Sequence, residues 1–330
     1  MQQLSAQVQD NSDGTSQSST MPEIFTHEVV ERLHSADDSP GKGPSPRWFH
    51  ARRDAYIDLS AWEGLNADDR HLVLAHIAST ASPSDRLISH RTAAIAWGIP
   101  IIGKAPKDVD MLDVDDSTGE GHGIQRHRTQ HLPEAVEHLG LRLTDPVRTA
   151  VDLARCHPLA TGLAAMDDVL HRSLGTRDQI RSELDNIPKG GRGRRRAHLA
   201  AALADGLAES AAESLSRARL YELGMPKPQL QVRFDDSAGF AGRTDMYWPE
   251  LDTIGEVDGR KKYDVAPGST GEEAARALWR EKRREDRLRH IVHRVARWGW
   301  DDAISPERFR RVLVGHGIRP RRDPTWITTS

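Results

Sequence analysis

The sequence predicts an α/β protein with two folded regions, the second built around a mixed central sheet and the first a smaller α/β or mostly helical domain. Three observations lead there. A length of 330 residues suggests about two domains, at roughly 150 residues each. Apolar residues recur at helical spacing in some stretches and alternate in others, so both element types are expected. A basic, glycine-rich break, Pro188–Arg196 (PKGGRGRRR), separates two halves of unlike charge. Residues 1–185 carry 18 basic and 28 acidic side chains, a net of −10. Residues 186–330 carry 28 and 21, a net of +7. The total of −3 therefore hides a polarised chain, whose second half is the candidate for binding a polyanion.

Composition excludes several classes. There is no run of 18 consecutive apolar residues, so no transmembrane helix and no membrane partner are expected. The start, Met1-Gln2-Gln3-Leu4-Ser5, lacks a basic segment and an apolar core, so a secretory signal is not expected and the cytoplasm is the default location. The single cysteine, Cys156, allows neither an internal disulfide nor a Cys-based zinc site.

In chain order, residues 1–46 read as a disordered segment and linker. Residues 1–22 are polar, Glu23–Leu33 is one short helix, and Ser35–Pro46 is rich in breakers. The first folded region spans 47–187. Ala55–Leu59 reads as a strand. Asn66 caps a helix through Ile77, and Ser89 caps another, ended by Gly98 and Pro100. Asp108–Val114 alternates apolar and acidic residues, as a half-exposed strand does. Asp145–Arg155 and Leu159–Ser173 read as helices, the latter with Leu163, Met166, Val169 and Leu170 on one face.

Residues 188–199 read as a basic linker, 200–316 as the second domain and 317–330 as a tail. The domain opens with helix Ala200–Leu223, broken near Gly206. Strands Gln229–Phe234, Gly242–Trp248 and Thr253–Asp258 follow. Then come helix Glu272–His290, strand Ile291–Trp298 and helix Pro306–Val314, giving the order αβββαβα.

The informative stretch is Gly242 to Tyr263. A tight turn centred on Glu250-Leu251 sets Trp248 against Thr253 and Asp245 against Glu256, with Cβ atoms about 5 Å apart. Strand period puts Asp258 on the face of Glu256. Carboxylates that close repel unless compensated, and a divalent cation is the simplest compensation. Oxygen ligands without cysteine suit Mg²⁺ or Mn²⁺. Arg260, Lys261 and Lys262 follow within four residues, as cations able to orient a water or hold a phosphate. The competing reading is a hairpin whose carboxylates are solvated or paired with local arginines.

In helix 272–290, Arg276, Arg280, Arg283, Arg284 and Arg287 fall at spacings of three and four and form one stripe. With Arg243 and Arg260 they are candidate phosphate contacts, or else a solvated face with internal ion pairs. Trp298 reads as core. His122, His127 and His131 lack a helix to bring them together as metal ligands. Asp108, Asp110, Asp113, Asp115 and Asp116 read as a solvated acidic edge. The Lys189–Arg196 run is a flexible linker or a basic arm on DNA.

On GRTDMYWPE with Asp245, Glu256-Val-Asp258-Gly259, Glu213 in AAESLSR and EKRREDRLR…VHRVARWGW, residues 200–300 resemble very-short-patch-repair-type endonuclease domains of the PD-(D/E)XK nuclease superfamily. That resemblance implies a restriction-endonuclease-like αβββαβ core. It makes Asp245 and Glu256 metal ligands, Glu213 an auxiliary ligand and Gln231 a residue lining the site. The family's Glu-x-Lys has Asp258 in its third position here, so the catalytic lysine falls to Lys261 or Lys262. Tyr263 stands near the place where relatives often carry a histidine. In the first region, LISHRTAAIAWGIPI and LGLRLTDPVRTAVDLAR resemble segments of AbiEi-type antitoxin proteins of type IV toxin–antitoxin systems. That implies an α/β partner or regulatory domain and carries over no catalytic residue.

Two functions follow as expectations. One is a Mg²⁺-dependent endonuclease or nuclease-like DNA-processing protein. The other is a non-catalytic DNA-binding regulator, or an antitoxin-like component with a toxin or antitoxin protein as partner.

Overall fold

The computed structural model describes residues 21–26, 48–52, 55–80, 86–114, 123–258, 279, 282–284, 286–321 and 326–327. The fold is mixed α/β, with three separate sheets among the described residues. The chain divides into two compact units, Met1–Thr149 and Ala150–Ser330.

The first unit carries two small sheets. In one, β1 (Ile24–Phe25) and β2 (Trp48–Arg52) flank β3 (Ala55–Asp58), both antiparallel to it. Ile24 and Phe25 are thus a strand, where the sequence suggested a helix; residues 27–33 lie outside the described ones. The other sheet has the order β6-β5-β4-β8-β7, from β4 (Leu87–Ile88), β5 (Val109–Asp113), β6 (Ile124–Arg128), β7 (Val136–His138) and β8 (Leu141–Leu143). Helices α1 (Leu59–Gly64), α2 (Ala67–Thr80) and α3 (His90–Trp97) belong with them. Asn66 Oδ1 accepts the Asp69 N–H at 2.9 Å, the expected start of α2. Gly98, with φ +67°, ends α3. Ile88, Ala93, Met111 and Leu143 form the core between helix and sheet.

Strand β5 corrects one expectation. All five of its residues are buried, so it is no half-exposed acidic edge. It pairs with a strand on each side. Its carboxylates are tolerated because each has a partner at hand: Asp113 pairs with Arg86, and Asp110 with Arg91 and His127.

The unit boundary falls inside α4 (Pro146–Cys156), not at 188–199. Helices α5 (Leu159–His171), α6 (Arg177–Asp185) and α7 (Arg194–Leu203) belong to the second unit, and α5 packs on both α7 and α8 (Ala211–Glu222). The basic run is thus partly helical. The expected helix 200–223 is two helices, because the Asp205 N–H is taken by Asp167 Oδ1 at 2.7 Å instead of by a helix carbonyl. Buried Asp167 also accepts from Ser214 Oγ and Arg217, whose guanidinium donates to the Leu203 carbonyl as well. This network fixes α8 on α5.

Beyond α8 lie β9 (Gln229–Asp236), β10 (Gly239–Trp248), a 3₁₀ turn at Pro249–Leu251, β11 (Thr253–Asp258), helical residues 286–291 and β12 (Arg294–Gly299). The sheet order is β12-β11-β10-β9, with β10 antiparallel to both β9 and β11 and β12 parallel to β11. A parallel neighbour requires a crossover, and the intervening helical segment supplies it. Helices α9 (Trp300–Ala303) and α10 (Pro306–Gly315) follow. Trp298 is core, as expected, with Nε1 donating to Ser216 Oγ of α8 at 2.8 Å. Part of the presumed tail packs too, since Trp326 is buried and donates to the Met225 carbonyl at 2.7 Å.

Candidate functional site: a carboxylate row across the second sheet

The turn at Pro249–Leu251 sets the register. Asp252 takes a left-handed conformation there (φ +43°), and Trp248 pairs with Thr253 as expected. Continuing from Met246↔Gly255 places Asp245 opposite Glu256. On the other side, the β9–β10 register places Gln231 opposite Asp245. On β11, Glu256 pairs with Arg297 of the parallel strand. One row therefore crosses four strands: Gln231, Asp245, Glu256, Arg297.

The ladder is modified along this row. The Val257 N–H donates to Asp245 Oδ2 at 2.8 Å, so a carboxylate holds a strand amide. Gln231 has φ +51°, strained for a residue with a Cβ, and its Nε2 donates to Glu213 Oε2 at 3.0 Å. Glu213, in the first turn of α8, reaches the row from the helix. Ser210 Oγ caps that helix by accepting the Glu213 N–H at 3.2 Å, and donates to Glu213 Oε1 at 2.7 Å.

Beneath Glu256 the packing is tight. A Cβ on Gly255 would stand 2.6 Å from Trp298 Cη2 and 2.9 Å from Trp248 Cζ3. Only glycine lets β11 pass between the two indoles, which pins the backbone that carries Glu256.

The electrostatics leave the row short of positive charge. Glu213 is held above the ordinary carboxylate range, first by burial and next by the Asp245 charge, against its three hydrogen bonds. Glu256 is raised too, by burial and by Asp245, with Arg284 opposing. Arg284 Nη2 donates to Glu256 Oε2 at 2.7 Å, and Arg297 Nη2 stands 3.7 Å from the same oxygen. Glu256 Oε1 is buried with no hydrogen-bond partner.

Sequence reading and structure meet unevenly here. Glu213, Gln231, Asp245 and Glu256 lie near one another in the fold. Asp258 ends β11 opposite Gly299 and is half-buried. Arg260, Lys261, Lys262, Tyr263, Arg276 and Arg280 lie outside the described residues. Arg283 is exposed. The other candidate phosphate contacts are committed to acids: Arg243 to Glu209 (2.7 Å), Arg284 to Glu256, and Arg287 through two nitrogens to Asp236 (2.6 and 2.7 Å). That Arg287 pair holds Asp236 at about 2, well below its usual range. Arg297 and Gly255 escaped sequence reasoning, because only the parallel register shows Arg297 facing Glu256. Among the described residues, no group of three or more His, Cys, Asp or Glu side chains is arranged to hold a metal ion. The buried, unpartnered oxygen of Glu256 is nevertheless an acceptor that a cation fits.

Two proteins of Mycobacterium tuberculosis resemble this chain: Uncharacterized protein MT2308 of strain CDC 1551 / Oshkosh and Uncharacterized protein Rv2248 of strain ATCC 25618 / H37Rv. Each is 37% identical over 154 residues, which is 46% of this chain and 55% of the relative. The chain thus spans about half the length of the curated relatives it matches. No protein-family profile and no solved structure matches it. Among the described residues, no helix is long and apolar enough to cross a membrane.

Proposed function

We propose that the second unit is a divalent-metal-dependent nuclease or nuclease-like DNA-processing domain, with a restriction-endonuclease-like αβββαβ core of the very-short-patch-repair type. The observation that carries this reading is that Glu256 Oε1 is buried without a hydrogen-bond partner, on a carboxylate that Asp245, which also acts on Glu213, raises further. An unsatisfied buried acceptor costs about 1–3 kcal/mol, a cost that a bound cation would remove. The succession of α8, three antiparallel strands and a parallel fourth also supports it.

Asp245 and Glu256 would hold Mg²⁺ or Mn²⁺, with Asp258 at the strand end and Glu213 as auxiliary. A divalent cation there lowers the pKa of a water and neutralises charge on a phosphodiester. The Val257 amide fixes the Asp245 carboxylate, and Ser210 and Gln231 fix that of Glu213. Lys261 or Lys262 supplies the cation that steadies charge developing on the phosphate.

A second reading has its own observation. Arg284 already neutralises one oxygen of Glu256, as a fold kept only for binding would require. On that reading the chain is a non-catalytic DNA-binding regulator, or an antitoxin-like component of a toxin–antitoxin or phage-defence system.

Cleavage of plasmid and single-stranded DNA in Mg²⁺ or Mn²⁺ separates the two. Asp245→Ala and Glu256→Ala should each abolish cleavage by the wild-type protein. Cleavage that survives in both variants refutes the site. Salt-sensitive DNA binding with no metal requirement, and no cleavage by the wild type, selects the regulator.

A further inference from the structure

The run from Lys189 to His198 plays no part in the carboxylate row, and it is folded rather than a flexible linker. Gly193, with φ +75°, precedes α7, and a Cβ there would fall 2.2 Å from the Arg155 carbonyl oxygen. The backbone passes too close for any other residue. Arg155 Nε donates to the Arg192 carbonyl at 3.3 Å, and Arg196 Nη1 to that of His157 at 2.8 Å. Arg194 Nη1 donates to the carbonyls of Leu184 and Ile187. These bonds fasten the loop to its neighbours.

The loop lines an open cavity of about 900 Å³, formed by Lys189, Arg192, Arg194, Arg195, Arg196 and His198 together with three glycines. Five of those six side chains are permanent cations, and no carboxylate lines the cavity. The groups that hold Arg194 and Arg196 are neutral carbonyls, which orient a guanidinium without cancelling its charge. Lys189, Arg192 and Arg195 are exposed. His198 Nε2 is buried with no hydrogen-bond partner. Like charges gathered along one loop repel, and an anion relieves them. Arginine forks match the oxygens of a phosphate, and glycines let it approach the backbone. The volume suits a ligand larger than one phosphate.

We propose that this cavity is a second, separate site that binds linked phosphate groups. These belong either to a nucleic-acid backbone or to a free polyphosphate chain, and the chemistry recognised is the same. The proposal does not rest on the nuclease reading, and its test does not read cleavage.

The full chain is titrated with a fluorescent 20-base-pair DNA duplex between 50 and 200 mM KCl, and with inorganic tripolyphosphate by calorimetry. The proteins compared are wild type, the double variant R192E/R195E and the conservative R192K/R195K. An unchanged melting temperature verifies folding; if the charge reversal unfolds the chain, R192Q/R195Q replaces it. The expected result is at least a tenfold loss of duplex affinity in R192E/R195E, with the slope of log affinity against log salt reduced by about two and with R192K/R195K intermediate, its charge kept but its forks lost. Loss confined to the duplex assigns a nucleic-acid backbone. Tripolyphosphate binding by wild type that disappears in R192E/R195E assigns a free phosphate chain. Wild-type binding of neither probe, or equal binding of both probes by wild type and R192E/R195E, overturns the proposal.

Discussion

Asp110 in the first unit and Glu256 in the second are both buried carboxylates on inner strands, yet their protonation leans in opposite directions. Burial pushes each upward. At Asp110 the His127 hydrogen bond (2.7 Å), with the charges of His127, Arg91 and His90, outweighs that push and holds the group below its usual range. At Glu256 the Asp245 charge adds to burial, and Arg284 does not offset both. One oxygen of Asp110 meets His127 and the other meets Arg91, whereas Glu256 Oε1 meets nothing. The two carboxylates thus differ in how far their neighbours compensate them. Asp167 shows that the second unit can also partner both oxygens of a buried acid, so the deficit belongs to Glu256 itself.

The largest test of this contrast is Asp110→Asn. It leaves Arg91 and His127 facing an amide, and should lower stability by about 2–4 kcal/mol, since breaking a buried pair strands the remaining charge. Denaturant unfolding measures it. A loss no larger than that of a surface substitution would place Asp110 in the same class as Glu256. The sign with pH follows from its lowered folded pKa. The Asp110 contribution is present above the ordinary aspartate value and is lost as pH falls through the lower folded value.

Next comes Gly255→Ala. The methyl group must displace two indoles, so a loss of about 1–3 kcal/mol is expected, together with weakened function at the row, because β11 shifts under Glu256. An unchanged melting temperature would show that the floor beneath Glu256 is not rigid.

The smallest effect has the opposite sign. Glu213→Gln keeps the shape; its amide oxygen can accept from the Glu209 N–H and Gln231 Nε2, and its amide nitrogen can donate to Ser210 Oγ, while the substitution removes a buried charge beside Asp245. It should stabilise the protein at pH 7 by about 1 kcal/mol while impairing any cleavage. The folded pKa of Glu213 is raised, so its burial costs nothing below the ordinary glutamate value. The cost grows as pH rises through the folded value. Thermal melts of the two proteins should therefore coincide near pH 4 and separate by pH 7. Separation at pH 4 instead would remove the like-charge explanation.

Local spacing was enough to read the elements of the second unit. The turn after Trp248, strand period and an α-helix carrying Glu213 were legible from spacing. So was the facing of Asp245 and Glu256, because a tight hairpin leaves one register. It also marked Asn66 and Gly98 as helix ends, since capping is decided within a few residues. Only the tertiary structure decided the rest. It made β5 a fully buried central strand, although its alternation of acids and apolar residues imitated an edge. It ran the unit boundary through α4, because the contacts of α5 with α7 and α8 join residues far apart in the chain. It brought Arg297 to Glu256 through a parallel pairing that no hairpin dictates. It also turned a glycine- and arginine-rich run, which composition alone reads as a linker, into the wall of a cavity. The physical reason is common to all four: burial and charge compensation depend on which distant residue arrives as neighbour, and local sequence fixes only the direction in which each side chain points.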